Sequence, residues 1–194
     1  LLAYLVAEAD QPHRRTALVE LLWPNSPTAA GLTDLRQALF RLRRHLCDGG
    51  DRAPYLLLTP SDVQFNQAAD YWLDVAEFRT RIRTVQSHHP RADRVCDECV
   101  ATLAEAADLY RGPFLPGVTP AECLEFDDWV LVRQEELHEQ ALAVLSCLAD
   151  CLERRGDFAE AAEYALRAIE LDPCHEPAHH QRMSALAKAG RTAE

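Results

Sequence analysis

Residues 33–46, TDLRQALFRLRRHL, combine side chains that could contact nucleic acid with a pattern that would hold them in place. Taken as a helix, the segment carries leucines at three- and four-residue steps along one face. At about 100° per residue, the opposite face presents polar, basic and aromatic side chains. The leucine stripe, which starts one residue earlier, comprises Leu32, Leu35, Leu39, Leu42 and Leu46. The outward residues are Thr33, Gln37, Phe40, Arg41 and Arg44, with Arg36 and Arg43 on one flank.

An outward face of this composition suits a DNA major groove, where Arg and Gln side chains reach base edges and phosphates. The plainer alternative is a solvated amphipathic helix with surface arginines, because such helices are common. The segments around this helix are needed to choose between the two interpretations.

A second group of side chains, Cys96 and Cys99 with His88 and His89 upstream, could bind zinc. A single C-x-x-C with no second pair in register is a weak zinc signal. A redox C-x-x-C normally opens a helix after a strand, whereas this one is expected inside a helical tract. We therefore expect buried or surface thiols here, and the sequence predicts neither a metal nor a cofactor.

The sequence also predicts that the chain is not an enzyme. It contains no glycine-rich phosphate loop and no G-x-S-x-G motif. Asp127 and Asp128 could imitate a carboxylate pair, but adjacent residues of a helix point about 100° apart and do not converge on one substrate.

Three helices followed by a β-hairpin are expected in the N-terminal part. The helices are predicted at residues 1–7, 14–23 and 33–46, separated by Gln11-Pro12 and by a loop of residues 24–31 in which Thr28 could cap the third helix. The hairpin strands are predicted at residues 55–59 and 63–66, on either side of Pro60, Ser61 and Asp62.

From Asp74 onward the pattern is helical. Helices are predicted from Asp74 to His88, from about residue 92 to 110 and from residue 122 to 155, with a Gly- and Pro-rich loop at residues 111–120. The motif GDFAE at residues 156–160 returns as GRTAE at residues 190–194, a spacing of 34 residues. That period is typical of tetratricopeptide repeats, whose units bury their faces only against neighbours.

Composition and charge limit the function classes. The 194 residues suffice for one large or two small domains, and 48% of them are hydrophobic. Residues 1–54 hold seven arginines and six acidic residues, a net charge of +1, whereas the remainder holds 13 basic and 25 acidic residues, a net charge of −12, which together give −11. A nearly neutral part with one arginine face fits a small DNA-binding module, and the acidic remainder is more suited to protein contacts.

The expected cellular location is inferred from membrane and export signals and from the cysteines. No run is long enough to span a membrane, and the opening residues do not resemble a signal peptide. The seven cysteines are odd in number and without framework spacing, which indicates reduced thiols and a cytoplasmic protein. The helical sequence pattern is incomplete at both Leu1 and Glu194, so we expect the chain to be an excerpt of a longer protein.

The order of motifs resembles a known family. The N-terminal part resembles a response-regulator-type winged helix, in the version found in the Streptomyces antibiotic regulatory proteins. The features that carry this resemblance are LLAYLV, RRTALVELLWP, LRQALFRLRRHL, the hairpin and DVAEF. The rest of the chain resembles the bacterial transcriptional activator domain that follows the winged helix in those proteins. The motifs that carry this second resemblance are LYRGPFLPG, EFDDWV, LDP and EPAHHQRMSALAKAGR. This resemblance implies a mainly α fold: a winged helix over residues 1–73, without its leading strands, and a tetratricopeptide-like helical domain over residues 74–194.

The resemblance further implies a transcriptional activator that binds double-stranded promoter repeats. Its implied DNA-binding residues are Arg14, Arg15, Thr16, Thr33, Arg36, Gln37, Phe40, Arg41 and Arg44. The helical part would contact RNA polymerase, a second protomer or a following ATPase and repeat module of the same chain, with no membrane involved. The alternative is an interaction module whose repeat domain binds a partner protein and whose winged helix no longer binds DNA.

Overall fold

The computed structural model describes residues 1–46, 53–88, 96–118 and 123–190. The helices in these ranges are α1 (Leu2–Ala7), α2 (Arg15–Leu22), α3 (Thr28–His45), α4 (Asp74–His88), α5 (Asp97–Leu109), α6 (Leu124–Arg155), α7 (Phe158–Leu171) and α8 (Glu176–Lys188). The strands are β1 (His13–Arg14), β2 (Leu56–Leu58) and β3 (Asp62–Phe65). The predicted mainly α fold is confirmed.

The chain divides into two compact units. The N-terminal unit comprises Leu1–Tyr71 and Gly117–Val132, and the C-terminal unit comprises Trp72–Pro116 and Arg133–Glu194. The sequence placed residues 117–132 in the helical part, so their packing with the N-terminal unit is a feature that the helical pattern did not reveal.

The core of the N-terminal unit is built from the apolar faces of its helices and its sheet. Leu5, Leu18, Leu35 and Val63 are each no more than 1% exposed. The predicted leucine stripe of α3 faces this core: Leu35 and Leu39 are buried, and Leu32, Leu42 and Leu46 pack against the cluster. Burying one face in this way fixes which side of α3 meets solvent.

A three-stranded antiparallel sheet completes the N-terminal unit. Its strand order is β1-β3-β2, and Leu56 pairs with Phe65 and Leu58 with Val63. The predicted hairpin is therefore confirmed. Strand β1 was not predicted, because its two residues are too few for a period-two pattern to be recognised.

Helix α3 begins earlier than the sequence indicated. Its first residue is Thr28 and its N-cap is Pro27, which makes no side-chain cap hydrogen bond, so the expected loop through residue 31 and the expected cap at Thr28 are both wrong. Gly31 lies in the first turn of this helix, at a point where an added Cβ atom would come within 2.3 Å of Val19 Cγ1. Glycine therefore lets α3 pass close to α2, although it is a poor helix former.

Residues 123–130 are held to the rest of the N-terminal unit by specific contacts. Trp129 Nε1 donates a hydrogen bond to Glu8 Oε1 at 2.9 Å, and the Trp129 ring meets Tyr4 edge-on with centroids 5.0 Å apart. Cys123 Sγ donates to the carbonyl of Leu22 at 3.3 Å, and Phe126 is buried. These contacts attach the start of α6 to α1 and α2.

The C-terminal unit consists of helices packed through small and apolar residues. Phe78, Leu103, Ala106 and Leu148 belong to one buried cluster, to which α4, α5, α6, α7 and α8 all contribute. In the α7–α8 pair, closely packed alanines take the place of larger side chains. The buried alanines of this pair are Ala161, Ala162, Ala165, Ala168, Ala178 and Ala185.

Two glycines mark corresponding ends of helices in the C-terminal unit. Gly156 follows α6 with φ = 89°, and Gly190 follows α8 with φ = 77°. Both values lie in the left-handed region that glycine adopts without steric cost, which explains why a glycine ends each helix. The two positions are the glycines of the 34-residue motif spacing, and residues 191–194 of the second motif lie outside the described residues.

A polar contact joins α6 to α8. The largely buried Glu153 carboxylate accepts hydrogen bonds from Ser184 Oγ at 2.8 Å and from Lys188 Nζ. The hydrogen bond from Lys188 is the main cause that holds the pKa of Glu153 below its ordinary value of 4.5. The stability that this contact supplies is complete above pH 4.5 and is lost as the pH falls through the lower folded pKa.

We expect Lys188→Met to lower the free energy of unfolding by about 1 kcal/mol at neutral pH, because the ammonium is half exposed and screened by solvent. Urea denaturation at about pH 7 and about pH 3 measures the effect, and the difference between variant and wild type should shrink at the lower pH. Lys188→Arg, which keeps the charge, is the matched control. An equal loss at both pH values would contradict the assignment of the effect to the ionised Glu153.

Candidate nucleic-acid interface

The outward face of α3 is the most extended group of exposed basic and polar side chains that the sequence predicted. Its buried leucines hold the helix against the core, so the opposite residues must face solvent. All of the residues predicted for this face are exposed: Thr33, Arg36, Gln37, Phe40, Arg41 and Arg44. The predicted orientation of the helix is therefore confirmed.

Four residues on successive turns form the centre of this face. Arg36, Gln37, Phe40 and Arg41 line one open surface recess, and the Phe40 side chain is 69% exposed. A large aromatic ring left in solvent between arginines can make an apolar contact, while guanidinium and amide groups supply hydrogen-bond donors. The recess can thus offer both kinds of contact to one ligand surface.

The ends of α3 differ in how their side chains are engaged. Thr33 Oγ1 donates to the carbonyl of Ala29 at 3.0 Å, which leaves the hydroxyl oxygen as an acceptor. At the other end, the last turn carries Arg43, Arg44 and His45, which complement the negative end of the helix dipole. The basic character of the face therefore increases towards the C-terminal end of the helix.

The three residues predicted at the start of α2 lie in two different environments. Arg14 and Thr16 are exposed. Arg15 instead reaches the hairpin: its Nε and Nη2 donate to the carbonyl of Thr59 at 3.1 and 2.9 Å, and its backbone N–H donates to the carbonyl of Ser61 at 2.9 Å. Arg15 thus braces the β2–β3 turn, a role that the sequence did not indicate.

The β2–β3 turn is held by its own polar side chains. The backbone N–H of Asp62 donates to Thr59 Oγ1 at 2.8 Å, and Ser61 Oγ donates to Asp62 Oδ2 at 2.5 Å. The turn sequence Thr59-Pro60-Ser61-Asp62 contains no basic residue. The turn itself therefore offers no positive charge to a phosphate. A basic side chain near this point would have to belong to a neighbouring element.

The structure also brings together the cysteine and histidine side chains considered above. His88 Nδ1 lies 3.2 Å from Cys99 Sγ and 3.6 Å from Cys96 Sγ. Cys96 is the N-cap of α5, so the expectation that the C-x-x-C lies inside a helical tract is wrong. His89, the other histidine considered, lies outside the described residues.

Within the described ranges, the carboxylates and the other histidines do not form a comparable group. His179 and His180 are exposed on α8. Among the residues with described placement, the one group of three His, Cys, Asp or Glu side chains close enough to share a metal ion is His88, Cys96 and Cys99. In the same part of the chain, no helix combines the length and apolar character needed to span a membrane.

Comparison with known proteins defines the class of protein. Residues 73–194 match the family described as Bacterial transcriptional activator domain. The chain belongs to this family, whose members regulate transcription in bacteria and are not grouped as enzymes. No curated protein matches the chain significantly.

Proposed function

We propose that the chain is a DNA-binding transcriptional activator of the Streptomyces antibiotic regulatory protein type, in which the N-terminal unit binds double-stranded promoter DNA through the outward face of α3. The observation that carries the proposal is the exposed group Arg36, Gln37, Phe40 and Arg41 on a helix anchored by buried leucines. Arg41 and Gln37 would contact base edges, Arg44 and Arg14 would contact phosphates, and Thr33 would assist.

The architecture of the N-terminal unit supports a winged-helix assignment. Three helices are followed by an antiparallel hairpin, and the hairpin pairs with a strand that lies between α1 and α2. In this assignment α3 is the recognition helix and the β2–β3 turn is the wing. Arg15 would act indirectly, by holding the wing in place, because its guanidinium is engaged with Thr59.

The family match supports a regulatory role for the helical part. We assign residues 1–73 to DNA binding and residues 74–194 to a tetratricopeptide-like activator domain. The left-handed glycines spaced by 34 residues and the alanine-packed α7–α8 pair support this repeat architecture. Its partners would be RNA polymerase, a second protomer or further modules of the same chain, and its location would be the cytoplasm.

The test is a titration of the chain against fluorescently labelled promoter DNA at two salt concentrations. Because each phosphate contact releases counterions, the number of such contacts sets the slope of log affinity against log salt concentration. We expect sequence-selective binding that weakens steeply with salt. Binding that is absent at low salt would overturn the proposal.

Two observations favour a second candidate function, that of a protein-interaction module. The β2–β3 turn carries Asp62 and no basic residue, and residues 55–194 hold the acidic surplus. On this hypothesis the helical unit binds a partner protein and the N-terminal unit does not bind DNA. Peptide or protein binding that persists at high salt, together with absent DNA binding, would favour it.

A further inference from the structure

Helices α4 and α5 meet at a cluster of three side chains suited to a soft metal ion. His88 is the last residue of α4, Cys96 is the N-cap of α5, and Cys99 lies in its first turn. The two helices run antiparallel, because Arg81 near the middle of α4 pairs with Glu105 of α5 at 3.0 Å while His88 lies against Cys99. The fold therefore brings the ends of the two helices together.

The distances between the ligand atoms fit tetrahedral zinc. With Zn–S near 2.3 Å and Zn–N near 2.0–2.1 Å, a tetrahedral centre separates N and S by about 3.6 Å and two sulfurs by about 3.8 Å. The observed separations from His88 Nδ1 are 3.2 Å to Cys99 Sγ and 3.6 Å to Cys96 Sγ. All three ligand atoms lie within 4.8 Å of one another. The two N–S separations therefore lie within about 0.4 Å of those in a tetrahedral zinc centre.

The cluster is also held in place and open to solvent on one side. Cys99 is buried and Cys96 is partly buried in the apolar cluster of the C-terminal unit, whereas His88 is exposed. Packing of the two sulfurs limits their movement, and the exposed imidazole leaves a path for an ion to enter. Imidazole and thiolate ligands together favour zinc over the harder ions magnesium and calcium.

We propose that His88 Nδ1, Cys96 Sγ and Cys99 Sγ bind one Zn²⁺ ion that joins the end of α4 to the start of α5. Binding replaces each of the two S–H bonds by a Zn–S bond and releases two protons to solvent. The described residues supply three ligands of a tetrahedral ion and leave its fourth position for a further ligand. The ion would stabilise the α4–α5 pair, because it binds the folded arrangement of the ligands and not the unfolded chain.

The experiment is a metal titration of the chelator-treated chain under a reducing agent. Added Co²⁺ should give the visible d–d bands of a tetrahedral centre and a thiolate-to-metal charge-transfer band. Competition with a chromophoric zinc chelator should then give one Zn²⁺ per chain. Thermal unfolding should show a higher Tm with Zn²⁺ than without it.

Two variants and two controls make the test specific. His88→Gln and Cys96→Ser change exposed or partly buried side chains, so both should fold with the Tm of the metal-free wild type. Each should weaken Zn²⁺ binding by at least about 100-fold, since even loss of a group that only orients a ligand costs about 10–100-fold. Cys174→Ser and His179→Gln, both exposed outside the cluster, should bind Zn²⁺ as the wild type does.

Two results would overturn the proposal. One is a wild-type chain that binds no stoichiometric Zn²⁺ or Co²⁺. The other is unchanged metal binding in a chain carrying both His88→Gln and Cys96→Ser, which would place any bound ion elsewhere. The second thiol pair, Cys147 and Cys151 with sulfurs 4.0 Å apart, is where such an ion would then be sought.

Discussion

Arg41→Ala is expected to weaken promoter binding by about 5- to 150-fold, which corresponds to the roughly 1–3 kcal/mol typical of a base-contacting arginine. Arg41 lies at the centre of the exposed α3 face, beside Gln37 and Phe40. Because the side chain is exposed, its removal should leave the free energy of unfolding nearly unchanged. Fluorescence anisotropy with the promoter and with a scrambled duplex measures the loss of affinity and of specificity together.

Arg44→Ala separates the two kinds of contact. If Arg44 contacts a phosphate, its removal should weaken promoter and scrambled DNA alike and reduce the salt slope by about 1. Arg111→Ala removes an exposed arginine from the C-terminal unit and should change neither affinity nor slope. Equal DNA binding by wild type, Arg41→Ala and Arg44→Ala would contradict the assignment of α3 as the recognition helix.

Gly31→Ala is expected to destabilise the N-terminal unit by about 1–3 kcal/mol, although alanine is a better helix former than glycine. The added methyl would lie 2.3 Å from Val19 Cγ1, far inside contact distance. Val19 is 3% exposed and β-branched, so it has little freedom to rotate away within α2. A contact this short puts the overpacking cost at or above the upper end of the usual range of about 1–3 kcal/mol, so it exceeds the gain in helix propensity of about 1 kcal/mol.

A double-mutant cycle with Val19→Ala identifies the cause. Shortening Val19 removes the clashing atom, so Gly31→Ala should cost less, or even stabilise, in the Val19→Ala background. Ala30→Gly at the exposed neighbouring position measures helix propensity on the same helix without a clash. Strictly additive free energies of unfolding in the cycle would show that the clash between residues 19 and 31 is not the cause.

The sequence was sufficient for features that depend on periodicity and turn composition. The leucine stripe of α3, its outward arginines and the β2–β3 hairpin all follow from short local patterns. The start of α3 was misjudged because Pro27 and Gly31 are read locally as loop residues. The structure shows instead that Gly31 meets a packing requirement set by α2.

Contacts between distant residues could not be predicted from such patterns. Arg15 and Thr59 are 44 residues apart, and Trp129 and Glu8 are 121 apart. The side chains in these two pairs are polar or amphipathic. No local sequence pattern distinguishes a solvent-exposed arginine from one that braces a turn. The same holds for His88, whose approach to Cys99 depends on how α4 packs against α5.

The attachment of Trp129 to Glu8 and Tyr4 has a consequence for how such regulators can be recombined. The family match begins at residue 73, yet residues 117–132 pack with residues 1–71. A chimaera that joins residues 1–72 of this chain to the activator domain of another regulator would place foreign side chains against Tyr4, Glu8 and Leu22. The N-terminal unit is therefore discontinuous in sequence, and an exchange of this proposed DNA-binding unit between regulators would have to carry the stretch around Trp129 with it.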